Sequence, residues 1–295
     1  MNVRLTLGPV LYHWPPGSLR DFYFRIADEA PLDTVYLGEV VCAKRAPLFD
    51  HYIDEVAQRL HAAGKEVVRS TLALVMNERE MATVRAVAEG PWMVEANDMS
   101  CVSLLRSRGH VIGPFINIYN EDTLGCLARF GALRACLPAE LPAASLAALA
   151  RAGGVEIEIQ VFGRLPLAIS ARCYHARSRD LTRDGCRFVC GEDPDGMAVS
   201  SLYDEPVFAV NGPQTLSVTY CNLLAELGEM QDKGVAAFRL WPQSCDMVAV
   251  AGLFRDVLDG RKDSAEADAA LAAITGDALF SNGFYHGVSG WKNRR

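Results

Sequence analysis

The sequence predicts an α/β protein: a parallel (β/α)8 TIM-like barrel interrupted by one irregular, cysteine-bearing insert. Three observations carry that expectation. Short apolar strand-like runs alternate with amphipathic helical runs along most of the chain, the order that makes a parallel sheet flanked by helices. Seven or more such strand-like runs recur at a spacing of roughly 25–30 residues, which suits a closed barrel. The glycine-rich first βα turn of a dinucleotide fold is missing, which puts an open doubly wound sheet in second place. At 295 residues the chain reads as one barrel-like domain over 1–295, with the insert at 171–200.

The elements follow in order. "VRLTLGPVLY" reads as a strand and "SLRDFYFRIADEA" as a helix; "DTVYLG" is a strand and "PLFDHYIDEVAQRLHAAG" a helix with a terminal glycine. "KEVVRSTLAL" and "NEREMATVRAVAEG" repeat the pair. "WMVEA" and "HVIGPFINIY" frame the helix "NDMSCVSLLRSRG". "EDTLGCLARFG", "ALRACLP" and "PAASLAALARAGG" continue the alternation, and "VEIEIQVFG" is a long strand. Glycine or proline marks the helix stops, as expected for C-caps. After "VFGRLPLAIS" the rhythm breaks. Short strands follow in "MAVSSLYD" and "PVFAVN", and the rhythm resumes with "TYCNLLAELGEMQDKG", "VAAFRLWP" and "DMVAVAGLFRDVLDG". The alanine-rich "RKDSAEADAALAAITGD" reads as a surface helix or loop.

Composition narrows the function classes. Half of the residues are hydrophobic (50%) and 22% are charged, ordinary for a soluble protein with a large core. The net charge of −7 argues against broad attraction to nucleic acid or anionic lipid. No run approaches eighteen apolar residues, so no integral membrane segment is expected. The first residues, "MNVRLTLGPVLYHWPPG", do not read as a secretory leader. The nine cysteines are therefore expected in a reducing cytoplasm, where clustered thiols bind metal or do redox chemistry.

Four of those thiols attract attention. Cys42 follows the second strand, at the barrel end where βα loops carry chemistry. Cys173 is delivered to the same rim by the long strand and its extension. Cys186 and Cys190 are four apart, the spacing of one face of a helical turn, and lie among polar loop residues that offer little core to join. Four converging thiolates can hold structural zinc or an iron–sulfur cluster. One tight pair with two single outlying ligands suits the bulkier cluster better, although thiolate softness favours either. Cys101, Cys126, Cys136, Cys221 and Cys245 sit among apolar neighbours and read as small hydrophobes.

"LGPVLYHWP", "VYLGEVVCAKR", "STLALV", "VEANDM", "LPLAISARCYHAR" and "FRLWPQ" together resemble the collagenase-like family historically filed among peptidases of unknown mechanism, and within it the members of ubiquinone biosynthesis. The resemblance runs to roughly residue 255 and fades beyond it. It implies a [4Fe-4S] cluster on Cys42, Cys173, Cys186 and Cys190. It further implies an iron–sulfur subunit of an oxygen-independent hydroxylase acting on ubiquinone precursors, paired as a heterodimer with a paralogous subunit, UbiU. A lipid-carrier accessory protein, UbiT, and prephenate as oxygen donor are implied as well. Other members of the family act on RNA bases, so a prephenate-dependent RNA base hydroxylase is the rival enzyme reading, which the acidic composition disfavours. A non-catalytic, metal-stabilised partner subunit is the third.

Cations crowd the candidate ligands. Lys44 and Arg45 beside Cys42, and Arg172 and Arg177 around Cys173, are placed to stabilise a reduced cluster or to bind a dicarboxylate donor. Glu39 is placed to orient one of them. Asn117 and Asn120 are candidates for the mouth, with caps or turns as the other explanation. His175 is a candidate proton relay, and His110, opening a strand, reads as structural. No Gly-x-Ser-x-Gly, His-Glu-x-x-His or Cys/His couple supports proteolysis, and neither a P-loop nor a dinucleotide fingerprint is present.

Overall fold

The computed structural model describes residues 3–106 and 108–294. Six βα steps and a seventh strand open the chain: β1 (Arg4–Leu7), α1 (Pro16–Glu29), β2 (Thr34–Leu37), α2 (Ala46–Ala62), β3 (Glu66–Ser70), α3 (Glu78–Ala88), β4 (Met93–Ala96), α4 (Met99–Leu104), β5 (His110–Ile112), α5 (Glu121–Arg129), β6 (Ala132–Cys136), α6 (Ala143–Ala152) and β7 (Glu156–Ile169). A short α7 (Tyr174–Arg177) precedes an antiparallel group of β8 (Met197–Ser200), β9 (Pro206–Asn211) and β10 (Gln214–Asn222). The chain ends with α8 (Leu227–Asp232), β11 (Ala237–Leu240), α9 (Met247–Leu258), α10 (Ser264–Thr275) and β12 (Phe280–Ser281).

Strands β1 to β7 pair in parallel in sequence order, and β11 closes the ring by pairing in parallel with both β1 and β7. Eight strands therefore form a closed parallel barrel with helices between them. Local chemistry starts the helices where the sequence indicates. Asn77 accepts the Glu80 N–H at 3.0 Å while Glu80 reaches back to the Met76 N–H at 2.7 Å, a reciprocal cap for α3. Asn120 caps α5 by accepting the Thr123 N–H at 2.8 Å, so its side chain serves the helix.

Several strands are shorter than their apolar runs. β1 stops at Leu7, β3 at Ser70 and β5 at Ile112, because the following residues turn outward as βα loops while staying buried over the core. β10 departs from expectation most. "QTLSVTYCN" is a strand, and only after a 3-10 turn at Leu224–Glu226 does α8 begin. The alanine-rich segment is a true helix, α10, with Ala267 and Leu271 fully buried.

β7 does two jobs. Its first half lies in the barrel between β6 and β11. Its second half leaves the barrel and pairs antiparallel with β10, from Phe162↔Asn222 to Ile169↔Gln214. Gly163 sits at the departure with φ 98°, and a Cβ there would lie 2.8 Å from the Trp241 carbonyl oxygen, so glycine is required. This extension carries the following cysteine segment over the C-terminal rim.

The barrel interior is held by charge. Arg239 is fully buried, with Nη1 donating to Glu95 Oε1 at 2.6 Å and Nη2 to Glu158 Oε2 at 2.8 Å. Its guanidinium lies 3.8 Å from the Tyr36 ring centroid, and the Tyr36 hydroxyl donates to Glu158 at 2.6 Å. Burial alone would raise the Glu158 carboxyl; Arg239, with Arg134 behind it, outweighs burial and holds it at about 2. A carboxyl held below its unfolded value stabilises the fold above that value and loses the contribution as pH falls through about 2. Glu158→Gln is expected to cost about 3 kcal/mol near neutral pH, because Arg239 keeps only one carboxylate. Denaturation midpoints of the two proteins should converge as pH is lowered from about 4.5 toward 2.

Candidate metal centre

Cys42 lies in the loop between β2 and α2. Glu39 shapes that loop: its Oε1 accepts the N–H groups of Val41 at 2.8 Å and Cys42 at 2.9 Å. Cys173 follows the β7 extension and caps α7, its sulfur accepting the Ala176 N–H at 3.4 Å. Cys186 and Cys190 flank a sharp bend in which Arg187 and Phe188 both adopt left-handed φ, 50° and 55°. Cys190 belongs to a 3-10 turn at Val189–Glu192 that Cys186 does not join. The four-residue spacing is thus not one face of a helical turn. Two successive left-handed residues cost on the order of 1–2 kcal/mol each, and they turn both sulfurs inward, to 9% and 7% exposure, despite the polar sequence around them.

The structure brings Cys42, Cys173, Cys186 and Cys190 to the wall of a single small pocket of about 20 Å³. All four are free thiols. Three cations, Lys44, Arg45 and Arg183, line the same pocket, and no carboxylate or imidazole does. Lys44 Nζ donates to the Arg183 and Asp184 carbonyls, each at 2.8 Å, and approaches Cys186 Sγ at 3.6 Å. Arg45 is buried at the start of α2, donates to the Leu11 carbonyl and Asn211 Oδ1, each at 2.9 Å, and also faces the Cys190 sulfur. Gly212 makes room for it: φ is 62°, and a Cβ there would lie 2.7 Å from Arg45 Nη2.

Burial pushes the Cys42 and Cys190 thiols up, and Arg45 pulls each part of the way back. Among the described residues no three His, Cys, Asp or Glu side chains meet at the distances of a single metal ion. The thiols share a pocket without closing on one point. Four soft donors edged by cations suit a thiolate-bound metal group of net negative charge.

Other expected residues fall elsewhere. Arg172 and Arg177 are exposed and do not line the pocket; their nearness to Cys173 in sequence does not aim them at it. Arg183 takes that position instead, anchored to Glu80 of α3 at 3.4 Å and to the Ala171 carbonyl at 3.1 Å. Nothing in the local sequence marked it, because it sits in an irregular segment whose direction depends on the bend that follows. His175 is buried, with Nε2 2.9 Å from Asp193 Oδ2. Asn117 lines a separate groove of about 280 Å³ at the rim, with Phe115 and Leu167. His110 is buried in β5 with Nδ1 2.8 Å from the Arg108 carbonyl, a structural role. Cys101 and Cys221 are buried in apolar packing and Cys245 packs against the core, while Cys126 is half-buried on α5 and Cys136 is buried beside the interior charges of Arg239, Glu158 and Glu95 rather than among apolar neighbours.

The family model described as Peptidase family U32 matches residues 19–294. The chain belongs to this family. The family match extends to the C-terminal residues, past the point near 255 where the sequence motifs fade. Among solved structures the chain is similar to phospho-2-dehydro-3-deoxyheptonate aldolase of Thermotoga maritima, at 9% identity and TM-score 0.44, covering 95% of this chain and 71% of that one. It is also similar to dihydropteroate synthase of Thermus thermophilus, at 15% identity and TM-score 0.44, covering 88% and 93%. Dihydrodipicolinate synthase of Aquifex aeolicus matches at 9% identity and TM-score 0.39, covering 92% and 80%. No helix among the described residues is long and apolar enough to cross a membrane.

The U32 family carries a peptidase name, yet among the described residues none of the four pocket thiols hydrogen-bonds an imidazole. Their polar contacts are to the Lys44 and Arg45 side chains and to the backbone amides of Lys44 and Ala176. In this member the thiol segment is instead fastened by Lys44. Lys44→Met is expected to speed alkylation of Cys186 in metal-stripped protein about tenfold, because losing one local fastening lowers the opening free energy by about 1.4 kcal/mol. Global thermal stability should change little. Mass-spectrometric labelling rates at Cys186 check this against Cys136, which is buried in β6.

Proposed function

We propose that the chain is the UbiV-type member of its family: the iron–sulfur subunit of an oxygen-independent hydroxylase acting on ubiquinone precursors. The observation that supports this reading is the shared thiol pocket. Cys42, Cys173, Cys186 and Cys190 would hold a [4Fe-4S] cluster, one thiolate to each iron. One tight pair, Cys186 and Cys190, with single thiols at Cys42 and Cys173 suits a multi-iron core better than a lone zinc. When bound, the cluster would supply one-electron transfer to a reaction that lacks oxygen as oxidant.

The chain's own residues would set its environment. Lys44, Arg45 and Arg183 place positive charge on the pocket wall, favouring the more negative, reduced form. Arg45, with both Nη atoms already committed, cannot swing away to solvent. Phe188 and Val189 cover the pocket on the insert side. A partner of the same family, UbiU, is proposed to complete the enzyme, with UbiT presenting the lipid-like precursor and prephenate as oxygen donor. The acidic net charge of −7 favours such small or protein partners over RNA.

Anaerobic co-expression with the paralogous subunit tests the proposal. The two chains are expected to co-elute on size exclusion, and the wild-type chain to carry iron and acid-labile sulfide. Cys190→Ala should lose most of that iron and much thermal stability, since metal binding is partly folding energy. Iron content equal to that of the parent, or elution as separate monomers, would sink the assignment.

A further inference from the structure

A second cavity, of about 70 Å³, lies between the ends of β2 and β3 and the start of α2, and Tyr12, Glu39, Arg45, Asp50, Arg69 and Thr71 are among the residues that line it. One ordered water needs roughly 10–15 Å³ measured this way, so the space exceeds a single water several times over. It lies under the inner faces of α1, α2 and α3, in the layer between the helices and the barrel strands, and apolar side chains such as Phe49 and Ile53 line it beside the polar ones.

Its cations are incompletely satisfied. The Arg69 side chain forms no hydrogen bond or ion pair among the described residues, and its Nε is buried without a partner. Burial pulls the Arg69 pKa down, and the Asp54 and Asp50 carboxylates only offset this from beyond contact distance. Arg45 is 4% exposed, and its Nε is likewise buried without a partner although both Nη atoms are bonded. Glu39 offsets much of the burial of Arg45, but among the described residues neither Glu39 nor Asp50 hydrogen-bonds Arg69 or the Arg45 Nε. Glu39 spends Oε1 on the Val41 and Cys42 amides, and Asp50 stands at the exposed rim. Ala46, the first residue of α2, also lines the cavity, and no side chain caps that helix. A helix start attracts an anion, and a desolvated guanidinium is costly until an oxygen acceptor completes it.

We propose that this cavity binds a small oxyanion of carboxylate or phosphate size, held by Arg69 with the Arg45 Nε–H as second donor. The occupant is a free anion or the anionic end of a larger ligand. The site is separate from the thiol pocket yet shares Arg45 with it. Occupancy therefore draws on the same guanidinium that faces Cys190. The inference goes beyond the cluster reading and does not depend on it.

Thermal unfolding of the purified full-length protein in acetate or phosphate, against chloride at equal ionic strength, tests it. A saturable rise of about 2–3 °C is expected at tenfold excess over Kd. Saturation separates binding from the unsaturable stabilisation that phosphate gives any protein. A rise with acetate alone assigns a planar carboxylate, and one with phosphate alone a tetrahedral anion. Arg69→Met should abolish the rise, while Arg79→Gln, on the exposed face of α3, should keep it. If Arg69→Met fails to fold, Arg69→Lys, which keeps the charge and loses the fork, should weaken binding at least tenfold. No saturable rise in the parent, or an undiminished rise in the Arg69 variant measured, overturns the proposal.

Discussion

One buried guanidinium ties the architecture together. Arg45 starts α2, grips the loop after β1 through the Leu11 carbonyl, and grips the β9–β10 turn through Asn211. Asn211 completes the triangle by donating to the same Leu11 carbonyl at 2.5 Å. Segments 34 and 166 residues away are thereby fixed to one charged group. A buried cation is tolerated only where anions and acceptors surround it. Here they are Glu39 on one side and sulfur on the other. The fold's demand for countercharge and the chemistry of a thiolate-bound metal group point the same way.

The second constraint is the length of β7. An ordinary barrel strand would end near Phe162 and turn into a helix. This one continues past Gly163 as half of an antiparallel ribbon, so the segment from Cys173 to Cys190 returns over the rim. Lys44 holds the Arg183 and Asp184 carbonyls there, and Arg183 holds α3. The pocket is built from both directions, with barrel loops below and insert above. Beneath it, the interior charge network of Arg239, Glu158 and Glu95 ties β11, β7 and β4 to one another across the barrel.

Much of this was legible in the sequence because its causes are local. Alternating apolar runs, the cap weighed at Asn120, and glycine stops follow from short-range sterics and hydrogen bonding. β10 was hidden because "TYCN" runs directly into "LLAEL", and its partner, the β7 extension, lies some fifty residues earlier. The four cysteines were visible as residue types at telling positions, but their convergence depends on two left-handed residues that no propensity favours. Arg172 and Arg177 drew attention by adjacency, whereas Arg183 reaches the pocket through the path of the chain. Arg69 reads in sequence as an ordinary strand residue; only the cavity beside it makes its missing partner visible.

The account rests on four sulfurs sharing one inorganic group. Metal and acid-labile sulfide analysis of the chain purified without oxygen tests this most directly. The account predicts about four iron and four sulfide per chain, as for one [4Fe-4S] core. Stoichiometric zinc without sulfide, or thiols that all react freely with no metal present, would contradict it.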